Sequence, residues 1–66
     1  MKIKVNGKEK ELEEEITIKK LIDLLGLADR PLAVELNKEV VKKENHNSVR
    51  LKDGDTVEII HFVGGG

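Results

Sequence analysis

The 66-residue sequence offers few side chains able to do chemistry. It has no cysteine, which excludes thiolate nucleophiles, disulfides and thiolate metal sites. Its two imidazoles, His46 and His61, stand at a spacing that matches no metal-binding motif, and each reads as a surface or packing residue. The one serine, Ser48, has no neighbouring base in a motif. Glu11, Glu13, Glu14 and Glu15 form an acidic cluster that invites a metal or catalytic reading. A solvated edge strand explains the same residues, because charges along an edge block unwanted strand pairing. The glycines, Gly7, Gly26, Gly54 and the run 64–66, spell neither a nucleophile elbow nor a phosphate-binding loop. An enzyme needs a nucleophile, a general acid or base, or a metal converging in one pocket, and these residues supply no such set.

What remains is the carboxylate of Gly66. A carboxylate is a poor electrophile, but once its oxygen attacks the α-phosphate of ATP it becomes a mixed anhydride. A sulfur or nitrogen nucleophile can then displace AMP. The activation must come from another protein. Glycine suits such a terminus, since it has no Cβ to hinder approach to the carbonyl carbon and can take up unusual backbone conformations in a narrow channel. The same three glycines would also serve as a disordered end of no consequence, and the tail by itself does not decide between the two.

Composition narrows the partners. Twelve basic against thirteen acidic residues give a net charge of −1, where a nucleic-acid partner would favour a basic excess. Phe62 is the single aromatic residue, so there is no platform for base stacking. The apolar runs fall far short of the roughly 20 residues of a membrane span. The opening MKIKVNG begins a strand pattern with no apolar stretch of signal-peptide length, so a cytoplasmic location is expected. A chain of this size buries only about 60% of its unfolded surface, and hydrophobic packing alone has to hold it.

The elements that must carry the tail follow from periodicity. Lys2 to Val5 alternates polar and apolar residues, and Asn6-Gly7 then signals a type I′ hairpin turn. Glu9 to Ile16 reads as the returning strand, with Leu12 and Ile16 facing inward. Thr17 is the expected N-cap of a helix whose Ile18, Leu21, Ile22 and Leu25 recur at helical spacing. Gly26 ends that helix, and Pro31 prevents it from resuming. Leu32 to Leu36 alternates again, Asn37-Lys38 turns, and Glu39 to Val41 forms a short strand. Lys42 to Ser48 reads as a polar loop or one irregular turn. Lys52 to Asp55 is a tight turn, and Thr56 to Phe62 is the last strand. The class is α+β: a β-grasp, ubiquitin-like domain over residues 1–63, with a mixed sheet of four to five strands and one main helix on one face. Residues 64–66 are expected to form a flexible glycine tail. The core expected between helix and sheet is Ile3, Val5, Leu21, Leu25, Val34, Leu36, Val57 and Ile59. If the first and last strands lie parallel at the centre, the tail leaves a firmly held strand and, from Val63 onward, reaches at most about 13 to 14 Å.

Several stretches in order, KVNGK, TIKKLIDLLGL, AVELNKEVV, LKDGDTVEII and HFVGGG, make the chain similar to the sulfur carrier proteins of thiamine biosynthesis, the ThiS family. The resemblance runs nearly end to end. It implies that Gly65 and Gly66 are the family's terminal diglycine, with Gly66 accepting AMP and then sulfur. A third glycine, Gly64, stands where some members carry Ala or another small residue. The resemblance further implies an E1-like adenylating enzyme that uses ATP, with no cofactor bound by the carrier itself. It implies a sulfur donor system, a cysteine desulfurase or sulfurtransferase, and a thiazole synthase that receives the sulfur. The carrier would be a substrate in this scheme and not an enzyme.

Alternation in the last strand places Glu58, Ile60 and Phe62 on the open face, near Ala33 and Glu35, if Val57 and Ile59 point inward. An exposed Ile and Phe beside the tail would form a docking patch for the activating enzyme. Alternatively, Phe62 folds onto the end of the sheet as core. Other readings of the same fold are a small subunit of molybdopterin synthase, which also ends in Gly-Gly, and a ubiquitin-like modifier joined to target lysines. A stand-alone binding domain with incidental glycines is the remaining one.

Overall fold

Two hairpins frame the sheet, and both turn on an asparagine. In the computed structural model, which describes residues 1–62, Asn6 and Gly7 take φ of 51° and 82°, and Asn37 and Lys38 take 51° and 72°. These are the positive angles that a type I′ turn requires. The first turn joins β1 (Lys2–Val5) to β2 (Lys8–Glu11), and the second joins β3 (Leu32–Leu36) to β4 (Glu39–Val41). Each asparagine also reaches β5 (Thr56–His61). Asn6 Oδ1 accepts the Ile59 N–H at 2.7 Å, and Asn37 Oδ1 accepts the Thr56 N–H at 2.9 Å.

The strand order is β2-β1-β5-β3-β4, so the last strand is the central one. It runs parallel to β1 through Lys4↔Thr56 and Val5↔Val57, and antiparallel to β3 from Leu32↔His61 to Leu36↔Val57. The returning strand β2 stops at Glu11, short of the expected Ile16. Leu12 donates its N–H to the Met1 carbonyl at 2.8 Å, where pairing with β1 ends, and the exposed run Glu13 to Glu15 has no apolar residue to hold it on the sheet. Leu12 is nonetheless buried, and Ile16 is partly so.

The helix α1 (Ile18–Leu24) is seven residues long, too short to persist without burial. Its termini are fully engaged. Thr17 Oγ1 accepts the Lys20 N–H at 3.1 Å, as an N-cap should, while the Ile18 and Lys19 N–H groups donate to the carbonyls of Val49 and His46. At the other end Gly26, at φ 72°, donates to Asp23 and Leu27 donates to Ile22, the paired bonds of a Schellman motif.

Ile18, Leu21 and Ile22 face the sheet and meet Ile3, Leu12, Val34, Leu51, Val57 and Ile59 in the core. Val5, Leu25 and Leu36, expected inside, are only partly buried at its margin. Leu51 is the unexpected member. It belongs to the segment that crosses from the β4 edge back to the centre. There its N–H bonds the Ile16 carbonyl at 2.8 Å, and its side chain is fully buried. A 3₁₀ turn at Lys43–Asn45 starts this crossing and brings His46 inward to 7% exposure. His46 Nε2 lies 3.0 Å from the Val41 carbonyl, which can only accept, so that nitrogen carries the proton.

Replacing Asn6 by alanine removes the partner of the part-buried Ile59 N–H and leaves alanine at a positive φ. Asn6→Ala is expected to lower the folding free energy by about 2 kcal/mol. The opposite sign is expected at the second turn. Lys38 holds a left-handed conformation that glycine adopts freely, and Lys38→Gly should stabilise the domain by about 0.5 to 1 kcal/mol. Urea denaturation midpoints check both, and a rise for Asn6→Ala or a fall for Lys38→Gly contradicts the turn assignment.

Candidate functional site

The side chains first considered for catalysis do not converge. His46 is occupied by Val41, whereas His61 is exposed at the end of β5. Ser48 Oγ donates to the Asn45 carbonyl at 3.2 Å and so closes its own turn. Glu11, Glu13, Glu14 and Glu15 are exposed at the β2 edge, and among the described residues no group of three or more His, Cys, Asp or Glu could hold a metal ion.

The central strand orders the surface around the tail. Val57 and Ile59 are buried against the helix layer, which turns Glu58 and Ile60 to the open face. Ile60 pairs with Ala33 and Glu58 pairs with Glu35, as alternation predicts. Val40 sits opposite Glu35 on the same face and is 69% exposed, while Ile60 is 44% exposed. The open face is therefore divided. Over β3, β4 and β5 it presents Ala33, Val40 and Ile60, interrupted by the two glutamates. Over β1 and β2 it is charged, with Lys2 opposite Glu11 and Lys4 opposite Glu9, cross-strand pairs of opposite sign. Val40 escaped the sequence reading because a three-residue strand containing Val-Val shows no clear alternation. Its register with Glu35 across the Asn37-Lys38 turn is the signal that would have found it.

Phe62 behaves differently from Ile60. It follows β5, donates its N–H to the Pro31 carbonyl at 3.0 Å, and is 56% exposed. Continued alternation would set it beside Ile60. Instead it lines a cleft of 670 Å³ together with the apolar Ile22, Leu27 and Leu32 and with charges of both signs, among them Lys19, Asp23, Asp29 and Arg30. Phe62 is thus neither closed core nor simply part of the open-face patch. Ile60 thus belongs to the open face, whereas Phe62 belongs to a cleft of mixed apolar and charged lining. Gly64, Gly65 and Gly66, together with Val63, lie outside the described residues, and so does the proposed boundary between domain and tail.

A mixed five-stranded sheet with the final strand at its centre, crossed on one face by a single helix, defines a ubiquitin-like β-grasp protein. The ThiS family model matches residues 3–66, and the chain belongs to that family. It is 40% identical over 65 residues to the sulfur carrier protein ThiS of Bacillus subtilis, covering 97% of this chain and 98% of that one. The crystal structure of the thiamine biosynthesis protein ThiS from Geobacter metallireducens superposes with a TM-score of 0.86 at 38% identity, each chain covered in full. The whole chain is also 41% identical to a segment of the thiazole synthase of Paramagnetospirillum magneticum, of whose length it spans only 20%. Among the described residues no helix is long and apolar enough to cross a membrane.

Proposed function

We propose that this protein is a sulfur carrier of thiamine biosynthesis, acting in the cytoplasm as a substrate of other enzymes and not as a catalyst. The observation that carries the proposal is the family match, which runs through residue 66 and so includes the terminal glycines. In the proposed cycle an E1-like enzyme binds the carrier and ATP. A carboxylate oxygen of Gly66 attacks the α-phosphorus, pyrophosphate leaves, and an acyl adenylate forms. A persulfide sulfur carried by a cysteine desulfurase or sulfurtransferase then attacks the carbonyl carbon and AMP leaves, giving an acyl disulfide. A second thiol attacks the donor's sulfur of that S–S bond, which releases the thiocarboxylate and leaves the donor as a disulfide. The carrier delivers that sulfur to a thiazole synthase. The likeness of the whole chain to part of a thiazole synthase supports this last partner, since a carrier joined to its acceptor is held near it at high effective concentration.

The fold supports each demand of the cycle. A reactive terminus has to be carried by a firmly held element, and β5 is paired with β3 up to His61 and with β1 at its first residues. The body contributes recognition and the glycines contribute access. Ile60, with Ala33 and Glu58, is the proposed docking patch for the adenylating enzyme, and Val40 extends it. Phe62 would contribute from the lip of the cleft.

Intact-mass analysis of the protein purified from its own cells should find a population with one oxygen replaced by sulfur, mapped by fragmentation to Gly66. Deletion of Gly65 and Gly66 together, which removes the terminal diglycine, should abolish that species and thiamine prototrophy together; continued thiamine synthesis by the deletion strain refutes the mechanism. For the patch, Ile60→Asp alters an exposed side chain. It should keep the wild-type thermal midpoint within a few degrees while adenylation falls by about tenfold or more. Wild-type adenylation rates in that variant discard the patch.

A further inference from the structure

The central strand is longer than its neighbour. The β1–β5 ladder ends at Val5↔Val57, because the chain turns away at Asn6-Gly7, while β5 continues to His61. The backbone groups of β5 alternate between its two flanks. Asn37 bonds Thr56 and Pro31 accepts from Phe62 on the β3 side, so Thr56, Glu58, Ile60 and Phe62 direct their N–H and C=O toward β3. Val57, Ile59 and His61 direct theirs toward β1. On that flank Val57 C=O accepts from the Asn6 N–H at 2.9 Å, and the Ile59 N–H is taken by Asn6 Oδ1. Beyond that point the Ile59 C=O and both backbone groups of His61 have no partner among the described residues. His61 is exposed, whereas Ile59 is 5% exposed.

We propose that the overhanging flank of β5, Ile59 to His61, is a strand-addition site that receives an extended segment of the E1-like adenylating enzyme. The inference rests on the carrier role and adds the manner of recognition. Its chemical basis is the composition of the tail. Residues 64–66 are all glycine, so apart from the terminal carboxylate an enzyme that grips this end has only backbone amides and carbonyls to hold. Strand pairing is the recognition mode that uses those groups. An enzyme strand seated against Ile59 and His61 fixes the register of the enzyme on β5, the strand that precedes the glycines. The flank also adjoins Ile60, so it is continuous with the docking patch proposed for the same enzyme. Asn6 fixes where the added strand begins, because its side chain fills the position that the next rung of β1 would have taken.

The test separates the backbone of His61 from its side chain. His61→Pro removes the N–H on the open flank while leaving the bonds to β3 to its neighbours, and proline is tolerated at such an edge position. His61→Ala keeps the N–H. With the adenylating enzyme of the same organism, His61→Pro should lower kcat/KM for acyl-adenylate formation about tenfold, and His61→Ala should stay near wild type. In parallel, residue-resolved amide exchange on the wild-type carrier should show the His61 amide exchanging fast when free and at least about tenfold slower with saturating enzyme. This measurement decides the matter if His61→Pro fails to fold. Equal adenylation of folded His61→Pro and wild type overturns the proposal, as does an unprotected His61 amide in the complex. A proline effect confined to sulfur transfer with the thiazole synthase overturns it, and so does protection that grows with carrier concentration alone, which would mean pairing between copies. A wild-type chain that the enzyme does not adenylate at all fails the carrier role itself, an outcome distinct from the others.

Discussion

The fold depends on how the last strand is held. β5 enters between β1 and β3, and the two hairpin turns that flank it each lend an asparagine side chain to its backbone, at Ile59 from one side and Thr56 from the other. Those bonds do two things at once. They satisfy two N–H groups of the central strand, of which the one at Ile59 is part-buried and would be costly to leave unpaired. They also fix the register of β5 against both hairpins, and with it which residues face the helix and which face outward. A slip of one residue would bury Glu58 and Ile60 and expose Val57 and Ile59. The open-face patch and the core are therefore consequences of one registration.

The helix layer shows the same economy of means. Seven residues make a marginal helix, yet its first N–H groups are met by Thr17 and by carbonyls of the crossing segment, and its last turn is closed by the Gly26 motif. The crossing segment in turn is anchored by Leu51 in the core and His46 against Val41. Helix and crossing segment each complete the other, and the small core is continuous because both contribute to it.

Much of this was legible before any coordinates. Asn-Gly, Thr17, Gly26 and the alternation of Val57 to Ile60 are local signals, and local signals survive folding when tertiary structure agrees with them. The parallel placement of the first and last strands was legible only as part of a whole-chain pattern. Leu51 and His46 were hidden for a physical reason. They lie in a stretch without periodicity, and their burial is decided by where the chain must pass to return from an edge strand to the centre. The early end of β2 was hidden too, since three consecutive glutamates fit a solvated strand as well as a bend. At the site, Ala33, Glu58 and Ile60 followed from register. Phe62 did not, because alternation lapses one residue beyond the strand, where the bond to Pro31 and the neighbouring cleft take over.

The central position of β5 has a consequence for folding order. In chain order it is the last strand of the domain, yet its partners β1 and β3 flank it on both sides, so neither half of the sheet is complete until it inserts. Pairing β1 with β5 closes a loop spanning most of the chain, and such non-local closure is entropically late. The segment that bears the glycines is thus the keystone of assembly. A chain in which β5 has not yet docked lacks the ordered open face. A partner that recognised that face would therefore distinguish finished molecules from unfinished ones.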